Sequence, residues 1–166
     1  MRSKMFDLEF RMRNRFAFSL VEMLVVVVVI GILAAMVTPK FLQAKEEASI
    51  AATSEDIQAI VNALSMYMSK HGSYPRDVNR MQVVSTLTPY FKSENPFAKP
   101  APMGGVYDYE GPPNWNPPQI SIRKNNGNNY TDNMALKLDE YIDNGDLRTG
   151  KLRSFGDRLG YFFDGQ

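Results

Sequence analysis

Residues 18–37, FSLVEMLVVVVVIGILAAMV, contain no polar side chain except Ser19 and Glu22. As a helix rising ~1.5 Å per residue, about 20 apolar residues match the ~30 Å hydrocarbon core of a bilayer. Arg11, Arg13 and Arg15 stand immediately before the run. Positive flanks stay on the cytoplasmic side, so the C-terminal part is expected across the membrane. Glu22 sits near the start of the run, where an unpaired carboxylate costs roughly 3 kcal/mol. Any account of this chain has to give that acid a purpose.

Three readings of the stretch compete. A secretory signal peptide needs a shorter apolar core and a small-residue cleavage site, for which Ala34-Ala35-Met36 is the nearest match. An ordinary signal anchor explains the length but leaves Glu22 without a role. The third reading places a cut before the run, between Ala17 and Phe18, and keeps the helix in the mature protein. Residues 1–17 are then a basic leader carrying Arg2, Lys4, Arg11, Arg13 and Arg15. Met5, Phe6, Leu8 and Phe10 offer the leader an interfacial amphipathic helix as the alternative to an unstructured segment.

The third reading coincides with a resemblance. Ala17-Phe18-Ser19-Leu20-Val21-Glu22 is similar to the G-F-T-L-I-E signal of type IV prepilins and type II secretion pseudopilins. Gly31 and Pro39 fall where that family carries a helix-weakening glycine and proline. One departure is Ala17, where the family usually has glycine. The resemblance implies a membrane aspartyl peptidase that cuts between Ala17 and Phe18 and methylates the new amine of Phe18. It also implies that Glu22 pairs with the Phe18 amine of a neighbouring subunit and fixes the register of assembly. The bland alternative is that Glu22 snorkels to the headgroups. Gly31 has no side chain and Pro39 no amide donor, so the helix between them is expected to be locally weak, or simply kinked at Pro39.

Residues 40–70 continue as an amphipathic helix. Ile50, Ile57 and Leu64 recur every seventh position, with Ile60, Val61, Tyr67 and Met68 between them. From Phe18 to Lys70 one helix would be about 80 Å long. A small domain cannot bury all of that, so half must reside in lipid or among other subunits. Met66, Tyr67 and Met68 read as core. The run His71-Gly72-Ser73-Tyr74-Pro75 ends the helix, with Gly72 as left-handed cap and Pro75 as stop. It resembles the G-x-Y-P that follows the long helix in the same family.

Beyond residue 73 the chain reads as a small α+β head. A short helix is expected within 77–91, on Met81, Val84, Leu87 and Tyr90. A loop region at 93–118 holds seven prolines. Within it, Val106-Tyr107-Asp108-Tyr109 alternates like a strand, and the Trp115 loop is either packed or a surface recognition element. Ile120-Ser121-Ile122 suits another strand, and 134–142 a short helix with Leu136, Leu138 and Ile142 inward. Strands at 151–155 and 160–163 close the head. The fold class is therefore α+β, a long N-terminal helix on a small antiparallel sheet of three or four strands. Its parts are a leader 1–17, a membrane and filament-core helix 18–39, an amphipathic half 40–72, and a head 73–166.

Chemistry is sparse. The chain has no cysteine and one histidine, His71, which leaves little for a metal cluster or a histidine-based triad. No phosphate loop, nucleophile elbow or metalloprotease pattern occurs, so no enzyme and no cofactor is expected. Calcium is the one metal weighed, with Asp139, Asp143 and Asp146 as candidates. The EF-hand spacing is missing. Without the leader the mature chain keeps 14 basic and 16 acidic residues of the full 19 and 18, no footprint for nucleic acid.

The expected function is a structural subunit of a pilus or secretion pseudopilus, held in the bacterial inner membrane. Its partners by resemblance are other pilin or pseudopilin subunits, the prepilin peptidase, an inner-membrane platform protein, an assembly ATPase and the lipid bilayer. The alternative is a membrane-tethered or filament-tip adhesion protein using the proline-rich loop.

Overall fold

The computed structural model describes residues 19–78, 82, 84–115, 118–125, 127 and 129–163. The chain divides into two compact units, Met1–Phe41 and Leu42–Gln166. One helix, α1 (Leu20–His71, 52 residues), contributes to both. It continues through Pro39 without a break. Pro39 withholds one helical hydrogen bond, and the Thr38 hydroxyl, one residue earlier, donates to the Ala34 carbonyl at 2.7 Å. Between Gly31 and Pro39 the helix is continuous. At the other end, Gly72 takes φ 74° and its N–H reaches the Met68 carbonyl at 2.8 Å, the capping its sequence position called for.

The head follows from two periodicities. On α1 the buried residues Ile50, Thr53, Ser54, Ile57, Ile60, Ala63 and Leu64 form one stripe at three- and four-residue spacing. Opposite them, the strands β1 (Val106–Glu110), β2 (Gln119–Arg123), β3 (Leu152–Ser154) and β4 (Arg158–Phe162) form an antiparallel sheet in the order β1-β2-β4-β3. The register sets Tyr107 against Ile122, Tyr109 against Ile120, and Ile120 and Ile122 against Tyr161 and Leu159. Residues directly opposite share a face, so these six, with Leu152, build the apolar side of the sheet. They join the α1 stripe in one core, completed by Val84, Leu87, Phe97, Ala135 and Leu138. Two polar contacts pin α1 into it: the Thr53 hydroxyl accepts the Met103 N–H at 3.1 Å, and the Tyr107 hydroxyl donates to Asp56 at 3.2 Å. Burial first, and then the Asp56 charge, push the Tyr107 phenol far above its usual range.

Helix α2 (Asp132–Ile142) begins at a Thr131 cap whose hydroxyl accepts the Met134 N–H at 3.2 Å. It buries Ala135, Leu138 and Asp139. Leu136, expected inward, is exposed, and Ile142 is half-buried. The inward face runs through Ala135, Leu138 and Asp139 because those positions, three and four apart, fall on one side of the helix. Similarly, Met66 and Met68 are exposed, and only Tyr67 of that trio packs on the core. The helix expected within 77–91 is a six-residue 3-10 segment, Ser85–Tyr90, with Pro89 inside it. Met81 lies outside the described residues.

Leu138→Ala should cost about 2–5 kcal/mol in chemical denaturation, as for a fully enclosed leucine. Leu136→Ala, two positions earlier, should stay within about 0.5 kcal/mol. Equal losses at both would contradict the face assigned to α2.

Candidate functional site

Assembly and anchoring chemistry was expected at Ala17, Phe18, Glu22, Gly31 and Pro39. Ala17 and Phe18 lie outside the described residues. From Leu20 to Leu42 every residue of α1 is exposed, Leu20 at 82% and Phe41 at 67%. This stretch is long and apolar enough to cross a membrane. Glu22 stands in its first turn, exposed, and no described side chain pairs with it. A Cβ added at Gly31 would meet nothing within 4 Å, so its bareness answers no contact inside this subunit. Aliphatic surface of this extent in water forfeits ~25 cal/mol per Å², and a partner phase has to cover it.

The second face of the sheet holds what sequence reasoning missed. Asp108, Glu110, Gln119, Ser121 and Arg123 alternate with the core residues, yet all are buried. Arg123 Nε donates to Asp108 at 2.5 Å, and its Nη2 donates to Glu110. Glu110 also accepts Arg158 Nη1 at 2.9 Å and the Ser121 hydroxyl at 3.3 Å. Burial pulls the Arg123 guanidinium down, but the hydrogen bond and charge of Asp108, with Glu110, carry it net upward. The lid over this cluster is aromatic. Arg158 lies 5.2 Å from the Trp115 ring centre and 5.4 Å from that of Phe155, and Phe155 meets Phe162 edge-on at 6.2 Å. Gly160 lies beneath it, and a Cβ there would come 3.0 Å from the Phe155 ring and 2.7 Å from the Gln119 amide oxygen, so both side chains would have to shift. Trp115 lies against the Arg158 guanidinium and remains 38% exposed. The signal was present in Y-D-Y-E and I-S-I-R, whose polar members share a face once the register is known.

Asp139, Asp143 and Asp146 surround the turn after α2. Asp139 is fully enclosed, and the backbone N–H groups of Gly145 and Asp146 are directed at its carboxylate at long range. Asp143 accepts the main-chain N–H groups of Lys151 and Leu152, and Asp146 accepts that of Arg148 at 3.1 Å. Asp143 and Asp146 thus serve the turn they belong to. Among the described residues no three acidic or histidine side chains converge as a metal-binding group. Burial first, then the charge of Asp143, hold the Asp139 carboxyl above its ordinary 3.8. His71 bonds the Tyr90 hydroxyl at 3.0 Å and stacks on Tyr67 at 4.3 Å, a helix-end packing role.

An exposed membrane-length helix with one acid in its first turn, joined to a four-stranded antiparallel head, defines a pilin-like protein. Residues 12–38 match the family model of the prokaryotic N-terminal methylation motif. The chain is 33% identical over 108 residues to the type II secretion system core protein G of Pseudomonas aeruginosa, covering 60% of this chain and 76% of that protein. It is 40% identical over 76 residues to the Vibrio cholerae protein of the same name, which it covers to 52%. To that of Klebsiella pneumoniae it is 32% identical over 94 residues and covers 64%. The chain belongs to the type II secretion system core protein G family, within the pilins and pseudopilins.

Arg123→Ala should destabilise the head by about 3–5 kcal/mol, since it removes the buried cation that Asp108 and Glu110 both bind. Urea denaturation measures this, and a loss under 1 kcal/mol would contradict the network. Asp139 contributes in the opposite sense to a salt-bridged acid. Its raised folded pKa means the native state binds the extra proton, so its contribution to stability is full below 3.8 and is lost as pH rises through the folded value. Asp139→Asn should therefore flatten the decline in melting temperature across that window and, in metal-free buffer, leave the head more stable at neutral pH.

Proposed function

We propose that this chain is a structural subunit of a type II secretion pseudopilus, held in the bacterial inner membrane until it is assembled. The observation that carries the reading is the exposed aliphatic stretch of α1 with Glu22 as its single acid. In lipid that surface is stored out of water. In a filament it is covered by the same helix of other subunits, so the hydrophobic term is conserved between the two states. Glu22 then has to exchange a headgroup for a fixed cation, and the amine released at Phe18 of a neighbouring copy supplies one. Processing falls between Ala17 and Phe18 and includes methylation of Phe18. The leader stays cytoplasmic, behind Arg11, Arg13 and Arg15, and the head lies across the membrane. The prepilin peptidase, a platform protein and an assembly ATPase act on it as separate chains. Its own role is mechanical, with no catalytic step.

Calcium enters this reading through Asp139, Asp143 and Asp146, of which Asp139 carries an enclosed carboxylate. A bound hard cation would neutralise that charge. Added Ca2+ should then raise the melting temperature of the wild-type head and leave that of Asp139→Asn unmoved, and an equal response in both would remove calcium from the account.

Intact-mass measurement of the membrane form should show loss of residues 1–17 and one methyl group on Phe18. Glu22→Ala should be inserted and cleaved normally but enter filaments poorly. A processed Glu22→Ala subunit that assembles as well as wild type would sink the pairing role.

A further inference from the structure

Where α1 and α2 lie side by side in the head, a groove of about 390 Å³ is lined by Glu47, Ile50, Lys137, Glu140 and Tyr141. Its floor is the buried Ile50, and one wall is the Tyr141 ring, 64% exposed. The single cation of the groove is already engaged, because Lys137 Nζ bonds Glu46 at 2.8 Å. The Lys137 ammonium is held above its usual value first by that hydrogen bond, against slight desolvation, and then by the charges of Glu46, Glu47 and Glu140. Three acids thus surround one cation, and the groove keeps uncompensated negative charge beside an open aromatic face. That combination suits a guanidinium, which donates to carboxylates at its edge and stacks an aromatic ring on its plane.

The same chain carries such a group elsewhere on its surface. The turn between α2 and β3 is fixed by its own backbone: the Arg148 N–H donates to the Asp146 carboxylate, Thr149 N–H to the Asp146 carbonyl at 2.9 Å, and Ser154 N–H to the Leu147 carbonyl at 2.8 Å. From it the Arg148 side chain projects 93% exposed, with only a 4.0 Å approach to Asp146. Lys151, three residues on, is exposed as well. The turn carries Arg148 and Lys151 against Asp143 and Asp146, and it holds the Arg148 guanidinium largely in water.

We infer that the groove is a docking site for a second copy of this chain, with Arg148 of one subunit entering between Glu47 and Glu140 of the next. The inference rests on the filament reading and names a contact within it. Within a filament the contact is heterologous, the turn of one subunit meeting the groove of the next. Repeated, it extends an open array instead of closing a symmetric pair. It supplements the burial of apolar helices with a charge-selective contact between heads, one that added salt weakens.

The absence of native cysteine makes the test clean. Full-length Glu140→Cys and Arg148→Cys chains are co-expressed in cells carrying a pseudopilus assembly machinery, and filaments are sheared and oxidised. Disulfide-linked dimers should form at least ~10-fold more from the mixture than from either variant alone, each taken as its own background. In parallel, Arg148→Glu should lower filament yield about two- to fivefold, the scale of a reversed exposed ion pair. Glu47→Arg and Glu140→Arg introduced into the same chain should restore it. Both acids and Arg148 are exposed, and unchanged melting temperatures would establish that the variants fold. Normal filaments without cross-links, or charge reversals that fail to compensate one another, would overturn the docking site and leave the subunit role standing. If the wild-type chain itself enters no filament, both readings fall.

Discussion

Keeping one very long apolar helix away from water is the constraint from which the rest of this molecule follows. Within α1 the constraint is met in two ways. From Ile50 to Leu64 the apolar residues form a stripe, and a sheet of only four short strands covers it with Tyr107, Tyr109, Ile120, Ile122, Leu159 and Tyr161. From Leu20 to Leu42 the apolar residues go all the way round, which no single flat partner can cover. That portion needs either hydrocarbon or several sister helices.

The head solves a different problem. A four-stranded sheet with one helix layer on one face leaves its other face to water, and small sheets with a wet face are marginal. Here that face is closed by an ion network under an aromatic and arginine lid, with Glu110 taking three donors at once. Such a network is worth little as an attraction, because desolvating the charges offsets most of what they gain. Its effect is on uniqueness. With Arg123 bound to Asp108 and Glu110, and Arg158 to Glu110, a slip of one residue between β1 and β2 would bury Tyr107 and Tyr109 on the charged side. The register is thereby fixed in a chain that has no cysteine with which to fix it.

The sequence alone determined the parts that depend on local pattern. The membrane-length run, Glu22 within it, the seven-residue recurrence of Ile50, Ile57 and Leu64, the stop at Gly72, and four strands near their observed places all follow from periodicity and turn chemistry, and the match to the methylation motif at residues 12–38 agrees with the signal that was read there. Tertiary structure decided what depends on pairing across distance. It put Leu136 outside and Asp139 inside, left Met66 and Met68 in solvent, and reduced the helix expected within 77–91 to a 3-10 segment. It also brought Arg123 and Arg158, 35 positions apart in the chain, onto one glutamate. The physical reason is that the spacing of apolar residues says which of them share a side of an element. What that side faces is set by register and by the loops that close over it, and neither is written locally.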